Sequence, residues 1–160
     1  MGGARAEGGN ITASAEYNIY ADPEAAARVF ASGCPLIVLG LDATHQVRGT
    51  PERIARIRGL ENEVAHLVAD TLDFSNSLAG NMEGATGSPL HDPCVIAYLL
   101  APDLFTVRSC SIRVETISDL TRGHTAVEFR PDYHGVAFTA GWVTGIDADG
   151  IFDLLEAAFA

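Results

Sequence analysis

The chain has 160 residues, 48% of them hydrophobic, with 10 Lys+Arg against 21 Asp+Glu and a formal net charge of −11. That length and apolar content support one compact domain over residues 1–160 and argue against disorder. The acidic balance excludes a nucleic-acid binder, which needs a basic footprint, and disfavours an anionic membrane surface.

Residues 1–21 read as loop, with glycines at 2, 3, 8 and 9. Asn10, Glu16 and Asn18 fall in this stretch. Amides donate and accept hydrogen bonds and a carboxylate accepts from paired hydroxyls, so the three suit a polyol. The competing reading is that they form and cap a loop, as Asn often does in turns. Asp22-Pro23 then starts a helix, since Asp accepts from free N–H groups and Pro fits the first turn. Gly33 ends it. Pro35 to Leu41 is a continuous apolar run, expected to be a strand buried on both faces.

Thr50-Pro51 repeats the helix start for a short helix with Ile54 and Ile57, and Leu60, Val64, Leu67, Val68 and Leu72 are spaced as a further helix. Residues 75–90 lose that spacing and are expected to be a long binding or closing loop. Asp92-Pro93 opens the third helix to start on this cap-plus-proline rule, with Asp92 as its N-cap. Segments Thr106 to Ile117, Ala126 to Phe129 and Gly135 to Ile146 read as strands, at least partly antiparallel. Asp147 caps a last helix. The order is α/β. Cys34, Cys94 and Cys110 form no Cys-x-x-Cys pair, and all three are expected as buried free thiols. With no signal pattern and no run of membrane-spanning length, a cytoplasmic protein is expected.

Gly9-Asn10-Ile11-Thr12, Ala15-Glu16-Tyr17-Asn18-Ile19-Tyr20-Ala21-Asp22-Pro23-Glu24-Ala25-Ala26, Pro35 to His45, and Pro89-Leu90-His91-Asp92-Pro93 resemble the inosine-uridine preferring nucleoside hydrolases. The resemblance covers the chain but only the C-terminal half of that family's fold. It implies a central, mostly parallel sheet flanked by helices, with a late antiparallel strand pair. It also implies hydrolysis of the N-glycosidic bond of ribonucleosides.

By the same resemblance Asn10, Glu16 and Asn18 hold the ribose hydroxyls and Met1 lines the sugar. His91 assists the leaving base as an acid, a role its near-neutral pKa suits. Asp92 is a calcium ligand. Calcium takes six to eight oxygens, and the family's aspartate-rich motif, which supplies most of them and the water-activating carboxylate, has no match here. The expected activity therefore needs the complementary N-terminal half. The alternative is a non-catalytic, truncated relative that self-associates or binds a partner. Either reading predicts an oligomer, because an uncovered sheet edge and apolar face tend to be buried by association.

Overall fold

The computed structural model describes residues 1–79, 86–131 and 137–159, which fall into two compact units. The first unit comprises Met1–Ala43 and Phe105–Ile146, and the second Thr44–Leu104 and Asp147–Ala160.

In the first unit, helices α1 (Tyr17–Ala21) and α2 (Pro23–Phe30) precede strand β1 (Leu36–Val38). The Asp22 side chain accepts the Ala25 N–H and Pro23 occupies the first turn, so α2 starts as its sequence dictates. Strands β4 (Phe105–Val114), β5 (Thr125–Glu128) and β6 (Ala140–Ile146) complete a four-stranded sheet in the order β1-β6-β4-β5. Its core joins Ile19 and Phe30 of the helices to Val38, Cys110, Ile112, Ala140 and Trp142 of the sheet.

The α/β class is as expected, and β4 and β5 form the late antiparallel pair. The expectation of mostly parallel strands does not hold among the described residues. β1 pairs parallel with β6, whereas β6–β4 and β4–β5 are antiparallel. The apolar run from Pro35 is also shorter as a strand than expected. Gly40 and Leu41 turn the chain into the short helix α3 (Leu41–Thr44). It is not buried on both faces either: Ile37 is 45% exposed on an edge strand of the described sheet.

The second unit holds β2 (Arg48–Gly49), α4 (Pro51–Arg58), α5 (Glu63–Ala79), β3 (Ser88–Pro89), α6 (Pro93–Leu100) and α7 (Ala148–Phe159). Thr50 caps α4 by accepting the Arg53 N–H. Ile54, Ile57, Ala65, Ala69, Ile151 and Phe152 are buried. Arg56 pairs with Asp153 and Glu156, tying α4 to α7, and Arg58 pairs with Asp70 and Asp73, tying α4 to α5.

The loop expected over 75–90 is in part helix, because α5 continues through Ala79. Ser75 and Asn76 extend its half-buried side, and Asn76 bonds both Gly49 O and Ser88 N. Residues 80–85 of that loop, and 135–136 of the strand expected from Gly135, lie outside the described residues. Two thiols are buried, but Cys34 is exposed, in the turn after α2. No helix among the described residues is long and apolar enough to cross a membrane.

Candidate functional site

The first unit brings Met1, Asn10, Glu16 and Asn18 together around the start of α1. Glu16 is 2% exposed and is the N-cap of that helix. Its Oε1 accepts the Asn18 N–H at 2.9 Å. Its Oε2 accepts the Gly3 N–H at 2.9 Å and the Ile19 N–H at 3.3 Å. A carboxylate has about four acceptor positions, so the backbone occupies most of them.

The two amides are exposed and differently used. Asn10 Oδ1 accepts the Tyr17 N–H at 2.8 Å, which leaves its NH₂ as the donor end. Asn18 Nδ2 lies 3.4 Å from both the carbonyl oxygen and the Sδ of Met1, which leaves its Oδ1 as the acceptor end. These orientations are assigned from the hydrogen-bond network. The loop is braced from within by Thr12, whose Oγ1 accepts from Ser14 and Ala15, and by Asn10 N–H on Ala15 O. The capping reading of these residues and the polyol reading are therefore compatible. Glu16 braces the loop, and the amides project from it.

Sequence reasoning left Asp42 without a role. Its carboxylate accepts the N–H groups of Arg5 and Ala6 at 2.8 and 2.7 Å, and of Glu7 at 3.3 Å. It thereby pins the segment that follows Met1-Gly2-Gly3. Beside it is a cleft of about 280 Å³, lined by Arg5, Glu7, Phe129, Trp142 and Thr144 among others.

In the second unit His91 and Asp92 precede α6. Asp92 stands at the N-cap position, but its backbone is already helical (φ −65°, ψ −35°) and its side chain makes no capping bond. The expected cap is corrected on that ground: capping needs an extended backbone that turns the carboxylate back onto the first N–H groups. The carboxylate is exposed. As a calcium site this is incomplete. Among the described residues no three or more His, Cys, Asp or Glu side chains gather to hold a metal, and one carboxylate falls short of the oxygens calcium takes.

The His91 ring is half-buried, and its Nδ1 lies 2.9 Å from the Oγ1 of Thr44, which is fully buried. The His45 ring centroid is 5.9 Å from that of His91, with the planes at 57°. Thr44 closes α3, the short helix that follows the apolar run, and His45 comes directly after it. Nothing in the spacing of residues 44 and 91 announces their contact.

The sequence profile described as inosine-uridine preferring nucleoside hydrolase matches residues 1–153. The chain belongs to that family. A pyrimidine-specific ribonucleoside hydrolase RihA of Shewanella woodyi is 47% identical over 156 residues, 97% of this chain and 49% of that protein. The RihA of Shewanella sp. strain ANA-3 is 47% identical over 161 residues, 100% of this chain and 50% of that protein. A purine-preferring ribonucleoside hydrolase from Gardnerella vaginalis superposes with a TM-score of 0.86 at 29% identity, over 99% of this chain and 50% of that one. A plant nucleoside hydrolase, at 24% identity and a TM-score of 0.88, shares the fold. The chain thus spans about half the length of the relatives it matches.

Proposed function

We propose that this chain is the ribose-holding part of a nucleoside hydrolase that splits a ribonucleoside into ribose and base. The cluster of Met1, Asn10, Glu16 and Asn18 carries the reading. The Asn10 donor end and the Asn18 acceptor end offer complementary partners to neighbouring sugar hydroxyls, and Glu16 keeps the loop that presents them in place. Met1 lines the sugar. His91 faces the departing base, and Asp92 is one ligand toward a calcium ion whose other ligands come from outside these 160 residues.

In the reaction the water oxygen bonds the anomeric carbon. The electron pair of the broken carbon–nitrogen bond leaves with the base, and one water proton ends on the base. The transition state is oxocarbenium-like, as in glycoside hydrolysis. Hydroxyls held by fixed amides set the ring conformation before the bond breaks, so that ordering is not a cost at the moment of reaction. The relatives include both a pyrimidine-specific and a purine-preferring enzyme, and the proposal extends to the N-glycosidic bond without a preferred base.

Because the relatives are twice as long, catalysis in this reading needs a complementary half. The exposed apolar residues Ile37 on β1, and Val64, Leu67, Phe74 and Leu78 on α5, support association with such a half or with a second copy. That association by itself, without catalysis, is the alternative reading, favoured by the engagement of Glu16 with the backbone.

The test is calorimetric titration of the chain with ribose, uridine and inosine, with a ribose-release assay in calcium alongside. Binding of ribose that is lost in Asn10→Ala and Asn18→Ala supports the proposal. Absence of binding to all three ligands overturns the ribose site. Turnover by the chain alone overturns the need for a complementary half.

A further inference from the structure

We infer that Thr44 is a positioning residue that holds neutral His91 in one tautomer, with the ring proton on Nε2. This deepens the proposal that His91 faces the departing base, and it rests on a separate observation.

Thr44 closes α3 and is 0% exposed. Among the described residues its hydroxyl bonds His91 Nδ1 at 2.9 Å, and its backbone carbonyl is taken by the Val47 N–H at 3.1 Å. A hydroxyl has one proton to give, and a buried polar group left unpaired is costly. Two arrangements fit the distance. If Nδ1 carries the ring proton, the N–H donates to Oγ1 and the threonine proton has no acceptor among the described residues. If Nδ1 is bare, the hydroxyl donates to its lone pair and both groups are satisfied.

The second arrangement leaves the ring proton on Nε2. Thr44 thereby sets which nitrogen donates, as a partner on one histidine nitrogen sets the role of the other. The His45 ring stands beside that of His91, centroid to centroid 5.9 Å, with the planes tilted at 57°.

The consequence for the reaction is specific. As the carbon–nitrogen bond breaks, its electron pair builds up on the base, and an Nε2–H meets that pair as a hydrogen-bond donor. The opposite tautomer would aim a lone pair at a developing lone pair. The proton that finally neutralises the base comes from the attacking water, so the imidazole need only donate a hydrogen bond.

Long-range proton–nitrogen correlation spectra of the ¹⁵N-histidine-labelled chain test this. They are recorded near pH 8.5, about two units above the ordinary histidine pKa, with His91→Gln to assign the signals. Wild type is expected to show His91 protonated at Nε2 alone, Thr44→Ser to show the same, and Thr44→Val to show a mixture of both tautomers. Protonation at Nδ1 in wild type overturns the inference, as does an unchanged single tautomer in a folded Thr44→Val. If Thr44→Val fails to fold, the wild-type and Thr44→Ser spectra decide. No nucleoside is present in these measurements, so a failure of the ribose-holding reading in the titrations above leaves this result standing on its own.

Discussion

Glu16 Oε2 accepts the backbone N–H of Gly3 at 2.9 Å, joining two points 13 residues apart in the chain. The same carboxylate takes the N–H groups of Asn18 and Ile19. A buried acid satisfied in this way holds the glycine-rich start of the chain against the first turn of α1. Glu16→Gln replaces one acceptor oxygen with an NH₂ that faces donors. Loss of bonds to a buried charged group costs on the order of 1–3 kcal/mol. Exposed Asn18→Ala is expected to cost under about 0.5 kcal/mol. Urea unfolding of both variants checks this. Equal midpoints would mean that the carboxylate does not brace the loop.

Gly40 marks where β1 ends and α3 begins. A Cβ at this position would lie 2.5 and 2.6 Å from two ring carbons of Trp142 and 2.7 Å from the Gly3 carbonyl oxygen. Trp142 is buried and anchors the core of the first unit, so the ring has little room to yield. Gly40→Ala is expected to destabilise the chain by about 1–3 kcal/mol through overpacking. Trp142 is the one tryptophan in the sequence, so its emission reports directly on that contact. An unchanged spectrum together with an unchanged unfolding midpoint would rule the close approach out.

Local rules carried the sequence reading where local chemistry decides the outcome. Asp22-Pro23 and Thr50-Pro51 start helices as their side chains dictate, and Asp147 takes the Gly150 N–H at the start of α7. Asp92-Pro93 shows the limit of that rule. The same dipeptide starts α6, yet its carboxylate makes no capping bond, because the backbone has already become helical. Pairing sense in the sheet and the exposure of Ile37 are set by residues far apart in sequence, which composition does not encode. The family motif brought Met1, Asn10, Glu16 and Asn18 to attention. Thr44 carries no motif, and its bond to His91 spans 47 positions.

The Arg122 guanidinium lies 2.7 and 2.8 Å from the two Glu24 oxygens and holds that carboxyl below its usual range. A depressed folded pKa contributes stability above the unfolded value, about 4.3 for Glu. That contribution is lost as pH falls through the lower folded value. Wild type is therefore expected to exceed Glu24→Gln in stability at neutral pH, with the gap closing as the medium is acidified below about pH 4. The pair is exposed, so added salt is expected to narrow the gap as well. Urea midpoints across a pH series decide it. A gap that stays constant into strong acid would show that Glu24 acts through packing rather than charge.

The three thiols divide by exposure. Cys34 is exposed, whereas Cys94 and Cys110 are fully buried. Burial pushes the Cys94 thiol up to about 12 and the Cys110 thiol up to about 11, and Cys94 donates to the Leu90 carbonyl oxygen. The thiolate is the reactive form. A thiol reagent near pH 8 is expected to modify one cysteine per native chain at once, none in Cys34→Ser, and three in denaturant. Cys110 lies in the first unit and Cys94 in the second, so the slow reaction of each in the Cys34→Ser background measures how often its own unit opens. Glu16→Gln is expected to speed the reaction of Cys110 and leave that of Cys94 unchanged. Equal acceleration at both would show that the two units open together.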